Sequence, residues 1–202
     1  MKKRAFACVF ALGLGLTAAL GLSGCDKLAS KPPSFMNTDV TGLPYALDFA
    51  LTDHHGRART LADFKGKVVL MFFGYTQCPD VCPTTMAEMA GVMKELGPLA
   101  DQVQVLFVTV DPERDSAALL AQYVPAFDAR FLGLVGDAAA TAKVGKEFKV
   151  FYAKVAGKAP GSYSMDHTAG SYVFDKSGKV RLFVRHGQGA APIVHDLKQL
   201  LL

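Results

Sequence analysis

Lys67-Val68-Val69-Leu70-Met71-Phe72-Phe73-Gly74-Tyr75-Thr76-Gln77-Cys78-Pro79-Asp80-Val81-Cys82-Pro83 is the stretch on which the reading of this chain turns. Val68 to Phe73 is apolar without a break, the pattern of a strand covered on both faces rather than one. Immediately downstream, Met86, Met89, Met93 and Leu96 recur at intervals of three, four and three, which places them along one side of a helix that Gly97-Pro98 ends. A second apolar run follows at Val103 to Val110. Strand, helix and strand make a βαβ unit with a right-handed crossover, so the sheet is at least partly parallel.

Working outward, Asp111-Pro112-Glu113-Arg114-Asp115-Ser116 closes the second strand and offers Asp115 or Ser116 as the N-cap of a helix running to about Val124. Phe131 to Val135 is a short apolar stretch, and a third helical segment runs from about Ala138 to Phe148. After a glycine-rich turn region, Ser171 to Asp175 and Val180 to Val184 flank Lys176-Ser177-Gly178-Lys179, a hairpin signal. A last helix covers about Ala191 to Leu202. Upstream, Tyr45 to Leu51 alternates like a half-buried strand and Thr52 to Gly56 supplies a turn, which predicts an N-terminal hairpin. The order βαβα, hairpin, α is that of an α/β thioredoxin-like fold with an N-terminal β-hairpin and a central insertion, over residues 44–202. A chain of 202 residues, half of them hydrophobic, accommodates one such core.

Cys78 and Cys82 stand at the carboxyl end of the central strand and the start of the first helix, where reactive groups gather in open α/β sheets. A helix N-terminus favours thiolate over thiol. Four residues make one helical turn, a rise of about 6 Å, so both sulfurs are expected on one face. A disulfide at that spacing lies near the long end of the usual Cα separation and opens readily. A purely structural staple closing so short a loop contributes roughly 2 kcal/mol. The pair therefore reads as a redox-active disulfide, a metal site, or both in turn. Met86, Met89 and Met93 read as core because the helix must bury that face. His54 and His55 read as solvated turn residues, and His186 and His195 as surface or capping residues.

Gly74-Tyr75-Thr76-Gln77-Cys78-Pro79-Asp80-Val81-Cys82-Pro83-Thr84, then Val108-Thr109-Val110-Asp111-Pro112-Glu113-Arg114-Asp115, then Asp166-His167-Thr168, in that order, resemble the Sco (SenC) family of copper-handling proteins from about Tyr45 to the last residue. The resemblance implies that Cys78, Cys82 and His167 bind copper. It implies a metallochaperone, not an enzyme, serving assembly of the binuclear copper A centre of cytochrome c oxidase. The expected partners are the subunit bearing that centre and a periplasmic copper donor or thiol reductase. Thiolates suit Cu(I) and imidazole suits Cu(II), so the set accepts either state. Asp111, at the end of the neighbouring strand, either tunes these ligands from behind or simply forms a turn beside Pro112. The main alternative is a thiol–disulfide reductase that keeps the oxidase cysteines reduced. A Cys₂His zinc hydrolase lacks an evident general base near His167, and a redox sensor or peroxidase ranks lower still.

The first residues place this chemistry. Met-Lys-Lys-Arg, an apolar run from Ala5 to Leu22 and the small residues Ser23-Gly24 before Cys25 read as an export signal over residues 1–24. Leu22-Ser23-Gly24-Cys25 resembles the lipobox of bacterial lipoproteins, which implies that Cys25 carries the lipid; an uncleaved membrane helix is the alternative. Asp26 resembles the signal that retains such lipoproteins at the inner membrane. Residues 25–43, with Lys31-Pro32-Pro33-Ser34, read as a membrane tether. The expected location is the periplasmic face of the inner membrane. With Cys8 in the signal and Cys25 lipidated, only Cys78 and Cys82 remain as thiols. Without Lys2, Lys3 and Arg4 the formal net charge falls from +4 to +1, too little for the clustered basic surface that nucleic-acid binding requires.

Overall fold

Both runs lie at the centre of one sheet, every residue buried, in the computed structural model, which describes residues 33–202. The signal, Cys25 and residues 26–32 of the tether lie outside the described residues. In chain order the strands are β1 (Thr38–Asp39), β2 (Leu51–Asp53), β3 (Ala58–Arg59), β4 (Val68–Gly74), β5 (Val103–Thr109), β6 (Leu132–Val135), β7 (Tyr152–Ala156), β8 (Tyr163–His167), β9 (Gly170–Phe174) and β10 (Val180–Arg185). The α-helices are α1 (Val81–Leu96), α2 (Ala117–Tyr123), α3 (Ala138–Glu147) and α4 (Ala190–Leu201). Among the described residues eight strands form one sheet in the order β1-β10-β9-β4-β5-β6-β2-β3, and β7 pairs only with β8. The run β4-β5-β6 is parallel and all other pairings are antiparallel. This is the thioredoxin-like order, and it sets the carboxyl ends of β4 and β5 side by side, Gly74 opposite Thr109.

α1 buries Met86, Met89, Met93 and Leu96, as their spacing predicts, and packs beside α4 and the sheet. Ser116, not Asp115, caps α2: its side chain accepts from the Leu119 amide.

Two boundaries differ from the sequence reading. The expected strand at Tyr45 to Leu51 begins only at Leu51, because the chain before it is pinned to the end of α3. The Ala46 amide donates to the Glu147 carbonyl and the Leu47 amide to its side chain, with Ala46 in the left-handed region. The predicted hairpin is thus β2–β3, organised by buried Asp53, whose carboxylate accepts from the amides of His55 and Arg57 and from Arg59 Nε.

The second difference concerns the tether, expected to extend to residue 43: from Pro33 onward the chain belongs to the compact unit. Thr38–Asp39 pairs with β10, and the amides of Met36 and Asn37 and the Asn37 side chain all donate, at 2.8 Å, to the carboxylate of Asp196 in α4. No apolar periodicity betrays this segment because the Asp196 carboxylate and the pairing with β10 fasten it, with only the scattered apolar contacts of Phe35, Val40 and Leu43 on the core.

Asp196 is 1% exposed. Burial pulls its pKa upward, but the His195 ring and the donors of Met36 and Asn37 outweigh that and hold the carboxyl below its ordinary range. A carboxyl lowered in the fold adds stability above its unfolded pKa, about 3.9, and loses it as pH falls through the folded value. Asp196→Ala is expected to lower the unfolding free energy at pH 7 by about 2 kcal/mol. Denaturant titrations of both chains check this, and the difference between them closes below about pH 4.

Candidate metal centre

The backbone at Gly74 comes so close to α1 that a methyl group added there would stand 3.0 Å from the Cys82 sulfur and 3.0 Å from the Phe107 ring. Glycine at this position lets the sulfur sit against the strand end. Cys82, second residue of α1, is fully buried; Cys78 is half-buried in the loop before the helix. The two sulfurs therefore do not share a helical turn as the spacing predicts. Proline disfavours helical geometry in the residue before it, so Pro79 keeps Cys78 out of the helix. The loop instead folds back: the Cys78 amide donates to the Tyr75 carbonyl, and the Cys82 amide donates to Cys78 Sγ at 3.3 Å. Both cysteines are free thiols.

His167 reaches this corner from the insertion. β7 and β8 form a hairpin in which Tyr152 stands opposite His167, and its base is fixed by Phe151 and Thr168. The Phe151 amide donates to Thr168 Oγ1 and the Thr168 amide to the Phe151 carbonyl, both at 3.0 Å. His167 Nδ1 lies 3.1 Å from the Thr168 carbonyl, which can only accept, so the ring hydrogen is on Nδ1. Nε2 then turns its lone pair toward Cys82 Sγ, 3.5 Å away. The rings of Phe72 and Tyr75 meet the imidazole edge-on, with centroids 6.2 and 5.9 Å away. One ligand atom each from Cys78, Cys82 and His167 fits within 4.8 Å of the others.

Burial pushes the Cys82 thiol strongly upward, and its contact with the Cys78 thiol adds to the effect. The expected preference for thiolate at a helix N-terminus is thus reversed at this sulfur, because desolvation outweighs the helix field. Burial also lowers His167 below the usual imidazole value, against the pull of the Thr168 carbonyl and Asp166, leaving it neutral at pH 7. Two sulfurs and one neutral imidazole, with no oxygen among them, form a soft donor set suited to a thiophilic ion. An open cleft of about 520 Å³ leads to it between Pro79, Val81 and Met165, with Asp80, Asp166 and Phe151 on its edge.

Asp111 is 1% exposed, and its carboxylate makes no hydrogen bond to any of the three ligand residues. Its carboxylate accepts from Arg114 Nε and, at 2.9 Å, from the Tyr163 hydroxyl, so any influence on the ligands passes through those two side chains. Asp115, read as a capping residue, has a different task. It is fully buried and accepts from the Thr76 amide at 3.0 Å, the Thr76 hydroxyl at 2.6 Å and the Thr109 hydroxyl at 2.7 Å, tying the cysteine loop to β5.

Of the other histidines, His54 is buried, not solvated. Its Nδ1 accepts from the Gly133 amide at 2.9 Å while its own amide donates to the Gly133 carbonyl, so it continues the β2–β6 pairing. His55 is exposed and stacks edge-on against it. His186 and His195 are exposed and pair with Thr85 and Asp196.

Asp115→Ala strands the buried Thr109 hydroxyl and the half-buried Thr76 hydroxyl and amide, and is expected to cost about 3 kcal/mol of stability. Faster alkylation of Cys78 under native conditions, together with a lowered denaturation midpoint, is the measurement that checks it.

Comparison with known proteins matches residues 39–202 to the SCO1/SenC family. The mitochondrial SCO2 homolog of Bos taurus is 38% identical over 75% of this chain, and the human mitochondrial SCO1 homolog 30% identical over 96%. The chain spans 58% and 66% of the length of those two relatives. Among solved structures, Bradyrhizobium japonicum ScoI with copper bound is 43% identical, covering 76% of this chain and 98% of that one, with a TM-score of 0.71. Apo Sco1 from Thermus thermophilus is 40% identical, covering 84% and 99%, with a TM-score of 0.74. No helix among the described residues is long and apolar enough to cross a membrane.

Proposed function

The chain belongs to the SCO1/SenC family, and from that membership we propose that it is a copper metallochaperone whose cargo is held by Cys78, Cys82 and His167. The observation that carries the reading is the convergence of three soft ligand atoms within 4.8 Å from two parts of the chain far apart in sequence. ScoI of Bradyrhizobium japonicum, with copper bound, supports the choice of metal. The client is the subunit bearing the copper A centre of cytochrome c oxidase, as the family resemblance implies.

The differing accessibility of the ligands supports an order of events. Cys78, the outer sulfur, meets an incoming ion or an accepting thiolate first, whereas Cys82 and His167 close behind it. Binding requires loss of the Cys82 proton, and a cation beside the sulfur compensates the desolvation that otherwise disfavours the anion. His167 needs no deprotonation, since it is already neutral with Nε2 free. Transfer then proceeds by ligand exchange, one sulfur at a time.

A second reading, reduction of a disulfide on the client, is favoured by the same outer position of Cys78, which suits it to attack. Cys82 would resolve the mixed disulfide, leaving Cys78 and Cys82 oxidised as the client is reduced. Two measurements separate the readings. The purified domain is expected to retain one copper per chain with a sulfur-to-Cu(II) charge-transfer band. In a strain lacking the gene, His167→Ala is expected to leave oxidase activity at the deletion level, rescued by added copper. Full complementation by His167→Ala, or rescue by an external reductant alone, would establish the reductase instead.

The N-terminal sequence supports lipid attachment at Cys25 on the periplasmic face of the inner membrane. Labelled fatty acid is expected in the full-length chain and absent from Cys25→Ser, which then fractionates differently from the parent.

A further inference from the structure

Arg114 is the residue in which the two halves of the site meet. It lies on the loop after β5, three residues beyond Asp111. Its Nε pairs with the Asp111 carboxylate, and Nη1 donates to Gln77 Oε1 at 3.0 Å and to the Tyr163 carbonyl at 2.8 Å. Gln77 immediately precedes Cys78; Tyr163 opens β8, the strand that His167 ends. The guanidinium carbon also stands 3.6 Å from the centroid of the Tyr163 ring and 5.6 Å from that of Tyr75, whose ring is the edge-on neighbour of His167. A single planar cation thus touches the cysteine loop, the histidine hairpin and the aromatic wall between them.

The hairpin needs such a fastening. Outside its own ladder, β7 has no strand partner among the described residues, and it is mostly exposed; in β8 only Met165 is buried. At its base, Phe151 and Thr168 hold the chain to itself, not to the cysteine loop. The Lys154–Glu113 pair joins the hairpin to the loop after β5, but both partners are largely exposed and such pairs contribute little. Asp111, buried beneath Arg114, completes the clamp by fixing the guanidinium and accepting the Tyr163 hydroxyl.

We propose that Arg114 is the positioning residue that holds His167 against Cys78 and Cys82, by binding Gln77 and Tyr163 at once through Nη1 while Nε pairs with Asp111. Lysine cannot replace it. An ammonium keeps the charge but cannot satisfy Asp111, Gln77 and the Tyr163 carbonyl in the fixed directions of a guanidinium while stacking on an aromatic ring. The consequence for copper rests on the metallochaperone reading. Groups that orient ligands from behind commonly change metal affinity by about 10- to 100-fold when replaced, and a loss of that size is expected here.

The test uses Arg114→Lys in two arms, with Arg130→Lys, a surface arginine distant in the fold, as control. In the copper-free protein, amide hydrogen exchange across Tyr163–His167 is expected to accelerate while β4 keeps its protection. In the copper-loaded protein, retention against a chelator is expected to fall by about 10- to 100-fold, with a shifted charge-transfer band. Gln77→Ala, which removes one of the two Nη1 bonds and leaves Asp111 paired, is expected to give a smaller change in the same direction and covers the case in which Arg114→Lys does not fold. Unchanged exchange in β8 overturns the proposal. So does accelerated exchange with unaltered copper retention and spectrum. If the parent chain itself holds no copper, the metallochaperone reading fails, and the exchange arm alone decides whether Arg114 clamps the hairpin.

Discussion

Cys82 keeps its sulfur out of water beside the end of β4, and an anion there is expensive unless a positive charge sits beside it. Much of the site follows from that. The sulfur remains a thiol while it is alone, with the lone pair of His167 Nε2 3.5 Å away. A soft cation reverses the balance, because it supplies charge at the point where solvent is missing. The half-buried Cys78 gives the site a mouth, and the buried Cys82 gives it a floor. Glycine at position 74 suits the same geometry: a Cβ there would stand 2.8 Å from the Phe72 ring and 3.0 Å from both the sulfur and the Phe107 ring.

Around this point, buried carboxylates do what the apolar core cannot. Hydrophobic contact is non-directional, so it brings β4, β5 and β9 together without specifying how the loops at their ends run. Asp115 specifies one of them by collecting the Thr76 amide and two threonine hydroxyls. Asp111 orients Arg114, Asp53 shapes the β2–β3 turn, and Asp196 holds the segment before β1. Each is almost fully buried and each accepts two or more hydrogen bonds, which is what makes burial of a carboxylate tolerable. The ligand geometry is therefore inherited from directional bonds one layer behind it.

The features hidden in the sequence share a physical cause. The β7–β8 hairpin is hidden because its residues are exposed or half-buried and only Met165 is buried, so neither strand carries an apolar alternation, and Gly157 to Gly161 reads as plain turn. His54 looks like a turn residue beside Gly56, yet it substitutes its ring for a missing backbone partner at the edge of β6. Arg114 and Asp115 sat inside a recognisable motif, but their partners lie on other elements. Arg114 meets Tyr163 and Asp115 meets Thr76, and no spacing rule connects those pairs.

By itself, the sequence determined the central βαβ unit, the C-terminal hairpin and helix, and the position of the cysteine pair, because these depend on local periodicity and on turn residues within a few positions of one another. The Sco resemblance named His167, and the residues alone did not. Tertiary structure decided how that imidazole meets the sulfurs, which sulfur faces water, and where the compact unit begins. Those outcomes rest on directional hydrogen bonds and desolvation between residues up to 160 positions apart, and such quantities exist only once the chain has folded.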